Sequence, residues 1–457
     1  MKKIAEQIFL AGVNGVLPEK LMQSQVKLSG DLLQIAEKKF PLSRFRHIYV
    51  LAAGKAAASM AKGAETVLGN RITNGHVVTK YGHGTDLKYL TLTEAGHPIP
   101  DTEGVKGTQK IVCIALHRTA IIRFCGVKGT QKIVCIARKA TENDLVICLI
   151  SGGASALMAD FPEGVTLNDL KRTNELLIKC GADITEINTV RKHLSKIKGG
   201  QLARMLFPAT TVCLMLSDVI GDKLDVIASG PTVGDSSSFA NTLAIIGKYS
   251  LQNSLPAPVL HYLHGGADGS VPDTPKPDNP IFQNVHNYII GSNGIALECA
   301  SRKALEFGFK PLVVINSLQG DVTEVANFIL KTIENQKPTG NKPVCLLFGG
   351  EPTVRVSGNG IGGRNQHLAL YLATKINRRK NITVLCAGTD GTDGPTNAAG
   401  AVVDNETASK SVEKGVDPRH YLANYDSYHF FQQVGGHIVT GNTGTNVMDM
   451  IVVLIKL

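Results

Sequence analysis

Ile48-Tyr49-Val50-Leu51-Ala52-Ala53-Gly54-Lys55-Ala56-Ala57-Ala58 reads as a buried strand, a glycine turn and an alanine-rich helix start. A strand that turns directly into a helix opens a βαβ unit, the building block of a mostly parallel sheet. A lysine at that turn faces the crevice at the carboxyl end of the sheet, where α/β proteins bind ligands. A cation on a first helical turn opposes the helix dipole, so local stability gives no reason for Lys55. The plain alternative is a solvated lysine, the usual fate of that residue type. No G-x-x-x-x-G-K-[ST] occurs, which excludes a P-loop nucleotide site.

The same alternation continues outward. Apolar runs at 48–53, 75–80, 145–150 and 211–216, with helix-like stretches such as 56–68, predict a Rossmann-like N-terminal α/β domain with a mostly parallel sheet. Six prolines and several glycines and aspartates crowd 256–280, the densest turn-forming stretch, and read as a linker or exposed excursion. A second alternation follows, with strands expected near 288–290, 310–315, 344–348, 382–387 and 452–455. The expected organisation is 1–255 as an N-terminal α/β domain, 256–285 as linker and 286–457 as a smaller C-terminal α/β domain, with a cleft between them.

A chain of 457 residues, 43% hydrophobic with 47 glycines and no tryptophan, suits a globular enzyme of more than one domain. The net charge of +10 is scattered and has few aromatics beside it, so small anions are favoured and nucleic acid is not expected. Nine cysteines form no C-x-x-C pair and lie mostly in apolar runs, as reduced core residues do. The first fifteen residues lack a signal-peptide core, and no run reaches ~18 apolar residues. No membrane association is expected, and the location expected is cytoplasmic, as a monomer or homodimer.

GVKGTQKIVCIA at 104–115 recurs letter for letter at 126–137. Structural repeats diverge and solenoids need three or more units. A recent duplication or gene-model error is the better reading, adding a 22-residue insertion near 116–137 that makes a surface excursion or lengthens a helix.

Four further stretches carry chemistry. Leu149 to Leu157, with Ser151-Gly152-Gly153 and Ser155, repeats the strand-to-glycine-turn plan and reads as an anion cradle; a serine-hydrolase elbow would need a glycine where Leu157 stands, and a serine N-cap is the bland rival. Gly358-Asn359-Gly360-Ile361-Gly362-Gly363-Arg364 follows Gly349-Gly350-Glu351 and precedes a helix-like stretch. Glycines that permit positive φ, successive N–H groups, a helix start and an arginine fork together attract phosphate or carboxylate. The same glycines match G-x-G-x-x-G, but a dinucleotide fingerprint wants an acid about 20 positions on, and Asp390 comes later than that. Asp218 and Asp222 after the 211–216 strand, and Asp390 and Asp393 in Gly-Thr-Asp-Gly-Thr-Asp-Gly at 388–394, are local turn acceptors or oxygen ligands for a hard cation such as Mg²⁺. Asp390 is also a candidate base. Thirteen histidines show no zinc spacing.

Taken together, the stretches AAGKAAASMA at 52–61, TKYGHG at 79–84, EAGHPIPD at 94–101, LISGGASALM at 149–158, INTVRKHLSKIKGGQLA at 187–203, LSDVIGD and IASGPTVGD within 216–235, GGEPTV and GIGGRNQ within 349–366, AGTDGTDGPTNAAGA at 387–401 and TGNTGTNVMD at 440–449 resemble the class II glycerate kinases over nearly the whole chain. The resemblance implies phosphorylation of D-glycerate by ATP with Mg²⁺ to 2-phosphoglycerate, and a C-terminal domain of MOFRL type. It implies Lys55 and Arg364 as cations for the transferring phosphoryl group, with Glu351 and Asp390 beside them; the glycine turns then read as the nucleotide contacts, through Ser151, Gly152, Gly153, Ser155, Gly360, Gly362 and Gly363, and Asp218 and Asp393 as Mg²⁺ ligands. Two departures stand out: the duplicated segment, and Asn442 where the pattern has proline. The competing readings are an NAD(P)H-dependent hydroxypyruvate reductase, resting on Gly358, Gly360 and Gly363, and a non-catalytic sugar-acid or nucleotide sensor.

Overall fold

The computed structural model describes residues 1–116, 118–119, 136–137, 141–336, 342–377, 379 and 381–456. The chain divides into two compact units, one of 18–216 with 223–290, the other of 1–17 with 217–222 and 291–457.

The first unit is built on a six-stranded sheet ordered Val285–Gly291, Thr210–Leu216, Asp144–Ser151, His47–Ala53, Asn74–Lys80, Thr91–Ala95. Numbered along the chain, these strands run 6-5-4-1-2-3, the doubly wound order of a dinucleotide-type sheet. The pairs among strands 1 to 5 are parallel. Asp144–Ser151 is buried at every position, which its continuous apolar sequence anticipates, because helices cover both faces of such a sheet. A small antiparallel sheet of Val26–Ser29, Leu32–Ile35 and Lys38–Pro41 belongs to this unit as well. Side-chain caps set several helix starts: Asp101 accepts from Gly104, and Thr166 with Asp169 and Asp183 with Glu186 form reciprocal capping boxes.

The proline-rich stretch expected as a linker holds the helix Ala257–Ala267, with Val259 and Leu263 buried in a core shared with Phe239 and Ile246. Prolines do not oppose this, since Pro256 and Pro258 lie at the helix start, where N–H groups have no helical partner anyway. The first copy of the duplicated twelve residues lies in the helix Thr102–Ala115, where Gly107 lets the backbone approach Val78. The second copy lies outside the described residues except for the backbone of Ile136–Ala137, which pairs antiparallel with Arg118–Thr119. Identical Ile-Ala dipeptides thus end a helix in one copy and form a strand in the other.

The second unit holds a mixed sheet ordered Lys310–Leu318, Val344–Gly350, Asp449–Ile455, Ile382–Gly388, Gly400–Asp404, His437–Ile438. Only the first two strands pair in parallel; the other four pairings are antiparallel. The helix Lys2–Gly15 joins this unit, far in sequence from its partners. A side-chain carbon at Gly12 would lie 2.9 Å from Ala296 O in the helix Asn293–Glu306, so the two helices meet at a distance only glycine permits. No helix among the described residues is long and apolar enough to cross a membrane.

Candidate active site

Each unit gathers one set of the chemically suggestive loops. In the first, the strand order reverses between His47–Ala53 and Asp144–Ser151. The chains leaving those two strands diverge there and open the crevice in which doubly wound sheets bind ligands. Lys55 leaves one strand and Ser151-Gly152-Gly153 the other. Lys55 N donates to Gly152 O at 2.9 Å and Ala56 N to Ser151 Oγ at 3.0 Å, locking the turns side by side. Gly54, at φ 131, packs so tightly that a side-chain carbon would stand 2.1 Å from Ser151 Oγ. Gly153, at φ 82, is in the left-handed region, and a side-chain carbon there would meet His97 at 2.8 Å and Lys55 Cγ at 3.3 Å. The sequence-derived group Lys55, Ser151, Gly152 and Gly153 is therefore contiguous.

Ser155 extends the group: its Oγ is 2.9 Å from Ser229 Oγ, which in turn donates to Asn188 Oδ1 at 3.1 Å. His97, Asn188 and Ser229 carried no role in the sequence reading, although each falls in a quoted motif. The signal available for Ser229 was its glycine-bounded turn, which the structure realises with Ala228, Ser229 and Gly230 all at positive φ. Burial, with Lys55, Lys80 and His83 nearby, pushes the His97 imidazole down to about 4, so it is a neutral hydrogen-bonding group at ordinary pH. Two buried lysines of this unit are neutralised: Lys192 meets Asp235 at 3.4 Å and Asp225 at 3.5 Å, and Lys198 meets Asp160 at 3.1 Å. The Lys55 ammonium has no acid or hydrogen-bond partner among the described residues.

In the second unit the sheet register builds the site. Asp449 lies opposite both Gly350 and Gly388 on its two antiparallel neighbours. Glu351 is the next residue after one of these strands and Asp390 comes two after the other, so three carboxylates share one end of the sheet. A side-chain carbon at Gly388 would be 3.3 Å from Asp390 Oδ1 and 3.3 Å from Asp449 Oδ1, which places the two acids on either side of that glycine. Arg364, first residue of the helix Arg364–Ile376, enters this group. Its Nε and Nη2 reach the two Asp449 oxygens at 2.6 and 3.0 Å, and its Nη1 reaches Glu351 at 2.9 Å. Burial alone would lower the guanidinium, but Asp449 and Glu351 hold it above its ordinary value. Asp449 is 2% exposed and was missed in sequence, because an acid heading an apolar strand gives no sign of what faces it.

Several expectations are corrected here. Asp393, expected as a metal ligand, accepts from Asn365 N at 3.0 Å and Nδ2 at 3.3 Å through one oxygen, and from Gln366 N at 2.8 Å and Nε2 at 3.1 Å through the other. Four donors fill its acceptor capacity, so it caps the Arg364 helix. Burial pushes its carboxyl up to about 6, against the pull of those backbone N–H groups. Among the described residues no three His, Cys, Asp or Glu side chains gather as a metal site.

The glycine loop also differs from its reading. None of Gly358, Gly360, Gly362 and Gly363 has positive φ. They are small because neighbours crowd them: side-chain carbons would lie 2.5 Å from Asn424 O at Gly360, 2.2 Å from Ser427 Oγ at Gly362 and 2.2 Å from Asp393 Cγ at Gly363. Gly360 N donates to Asn424 O at 3.0 Å and Ile361 N to Asp426 Oδ1 at 2.9 Å, which withdraws Gly360 from anion binding. Gly362 and Gly363, next to the helix start, donate to no described residue and keep that capacity. The preceding strand ends at Gly350, well before Gly358, so the G-x-G-x-x-G match lacks the strand-turn-helix setting that dinucleotide binding requires.

Asp390 uses Oδ1 within its own turn, accepting from Thr392 N at 3.0 Å. Its other oxygen has no described partner. The cluster can therefore offer an oxygen acceptor beside a rigidly held arginine, while the Lys55 cluster offers an unneutralised cation beside backbone turns.

Family comparisons cover both units. Residues 4–121 and 124–264 match a family described as a domain of unknown function, DUF4147, and residues 344–449 match the MOFRL family. A glycerate 2-kinase of Pyrococcus horikoshii is 39% identical, the alignment covering 100% of this chain and 97% of that one. A D-glycerate 2-kinase of Thermotoga maritima is 38% identical, covering 100% of this chain and 98% of that one. The crystal structure of a Thermotoga maritima glycerate kinase superposes with a TM-score of 0.84 over 99% of each chain at 38% identity. Similarity of this extent runs through both units without a break, and the chain belongs to the glycerate kinase family, with a DUF4147 segment followed by a MOFRL segment.

Proposed function

We propose that this chain is a glycerate 2-kinase, moving the γ-phosphoryl group of ATP to the 2-hydroxyl of D-glycerate. The observation that carries the reading is Lys55: an ammonium without a counterion, fixed at the topological switch point between glycine turns, has no structural task and suits an anionic substrate. Phosphoryl transfer asks chiefly for positioning and charge neutralisation. In the transfer the hydroxyl oxygen bonds to the γ-phosphorus, the bond from that phosphorus to the β,γ-bridging oxygen breaks, and ADP leaves with that electron pair. Asp390 takes the hydroxyl proton through the oxygen its turn leaves open. Lys55 neutralises substrate oxygens, as do the N–H groups of Gly152, Gly153, Gly362 and Gly363. Arg364, held by Asp449, presents a fixed guanidinium edge.

Mg²⁺ fits the acid-rich sheet end, since that ion uses one or two carboxylates with phosphate oxygens and water and needs no dedicated protein cage. Glu351 lies there and would hold it, Asp218, which follows the strand Thr210–Leu216, is the second candidate ligand, and Asp393 would not hold it. When bound it supplies positive charge to the phosphates. The same reading has the enzyme in the cytoplasm, acting on dissolved small molecules.

Incubating the protein with MgATP and D-glycerate and following ADP release tests the activity, and phosphorus NMR of the product identifies the hydroxyl that is modified. The expected product is 2-phosphoglycerate. Absence of glycerate-dependent ADP release from folded protein would overturn the proposal, and a 3-phosphate product would overturn its regiochemistry.

A further inference from the structure

We infer that a cavity at the opposite end of the six-stranded sheet from Lys55 is a second anion site, one that takes a phosphorylated small molecule. The cavity, about 550 Å³, is lined by Lys38, Lys39, Arg44 and His286 against one acid, Glu37. Its volume lies in the range of small-molecule pockets. Thr210, in its wall, begins the strand Thr210–Leu216, and the other end of that strand, Leu216, is in register with Ser151. A strand of that length spans roughly 20 Å, so the cavity and the Ser151 turn occupy different ends of the sheet.

Two observations point to a missing anion. Lys38 Nζ stands 3.0 and 3.3 Å from the two ring nitrogens of His286, a hydrogen bond from an ammonium to a neutral imidazole that leaves the lysine charge uncancelled, with no carboxylate beside it. Burial and the Lys38 charge push the His286 imidazole down, which is how the contact is tolerated. Neither Lys39 nor Arg44 has a carboxylate partner among the described residues, whereas the buried lysines of the same unit each have one or two. A guanidinium with two ammonium groups around a cavity of metabolite size is the arrangement that recognises a phosphate ester, the arginine through its planar fork and the lysines as point charges.

The chain has no tryptophan, so Gln283→Trp, in the cavity wall, makes a unique fluorophore there. Titrating that variant with inorganic pyrophosphate is expected to give a saturable change in emission. Adding Lys39→Ala and Arg44→Ala should weaken half-saturation about tenfold or more, the loss of charge-assisted hydrogen bonds, while adding Lys55→Ala should leave it unmoved. The double substitution removes exposed side chains outside the proposed catalytic loops, so unchanged circular dichroism and unchanged glycerate-dependent turnover are expected of it. No saturable change, or a titration curve that the double substitution does not shift, would overturn the site. The readout needs no glycerate, so a failure of the kinase reading and a failure of this one are told apart.

Discussion

Lys55 and Arg364 are both cations on the first turns after glycine-rich loops, yet their surroundings are opposite. Lys55 has no described counterion, whereas Arg364 is gripped through both edges of its guanidinium by Asp449 and Glu351. A cation left without a partner keeps its full charge for a ligand, and the fold loses little if it is removed. A cation bound bidentately to a buried acid has a fixed position but a charge already spent, and the fold depends on it. One cluster thus holds an unneutralised charge and the other a fixed guanidinium.

The contrast is open to direct attack. Lys55→Ala should lower kcat/KM about 10³-fold or more, the scale of losing a cation at a transferring phosphoryl group, with a stability change within about 0.5 kcal/mol, as for other residues without structural contacts. Steady-state kinetics with urea denaturation measures both, and a large loss of stability would erase the distinction. Asp449→Ala should do the reverse first, costing about 2 kcal/mol by leaving the half-buried Arg364 with the more exposed Glu351 as its remaining acid, with activity lost as a consequence of a displaced guanidinium. Asp449→Asn, which keeps the shape and one acceptor, should recover part of the stability.

A smaller effect is expected at Gly388. Gly388→Ala places a carbon 2.9 Å from Thr392 O and 3.3 Å from both Asp390 and Asp449 oxygens, so it should lower kcat about tenfold at a cost of about 1–2 kcal/mol. If kcat is unchanged, Asp390 is not the base.

The smallest effect concerns pH and has opposite signs in the two units. His76, fully buried between Thr91 and Thr93, is pushed down to about 3 by desolvation. A depressed histidine contributes stability that is complete above about pH 6.5 and lost as pH falls through its folded value, at up to about 1.4 kcal/mol per pH unit. Asp393, pushed up to about 6, contributes stability that is complete below its unfolded value near 3.8 and lost as pH rises through 6. Mild acid should therefore loosen the Lys55 unit before the Arg364 unit. Hydrogen exchange at pH 7 and 5 should show Asn74–Lys80 losing protection first, and His76→Gln should remove about 1 kcal/mol of that difference.

Much of this was legible in residue order. The strand, glycine and lysine at 48–55 announced a βαβ sheet, and the matching plan at 149–155 announced its partner turn, because strand and helix periodicities are local properties. The roles of the glycines at 358–363 were not legible. A glycine needed for positive φ and one needed because Asn424, Ser427 or Asp393 crowds it are the same letter. Asp393 misled for a similar reason: an acid on a glycine loop looks alike whether it will meet a cation or the N–H groups of a helix 27 and 28 residues earlier in the chain. The proline-rich 256–285 stretch read as open chain because its helix is held by Val259 and Leu263 packing into a core that other segments complete.

Residue order alone settled the class of fold, the turns that follow the strands and the family, and it singled out the candidate cations, since each depends on periodicity, turn chemistry or matched motifs within short spans. Packing and register decided the rest. The antiparallel pairing that sets Asp449 between Gly350 and Gly388, the capping of the Arg364 helix by Asp393, and the union of the first helix with the unit at the far end of the chain all join residues distant in sequence. Such contacts arise only when the whole chain has buried its apolar surface and each buried polar group has found its partner.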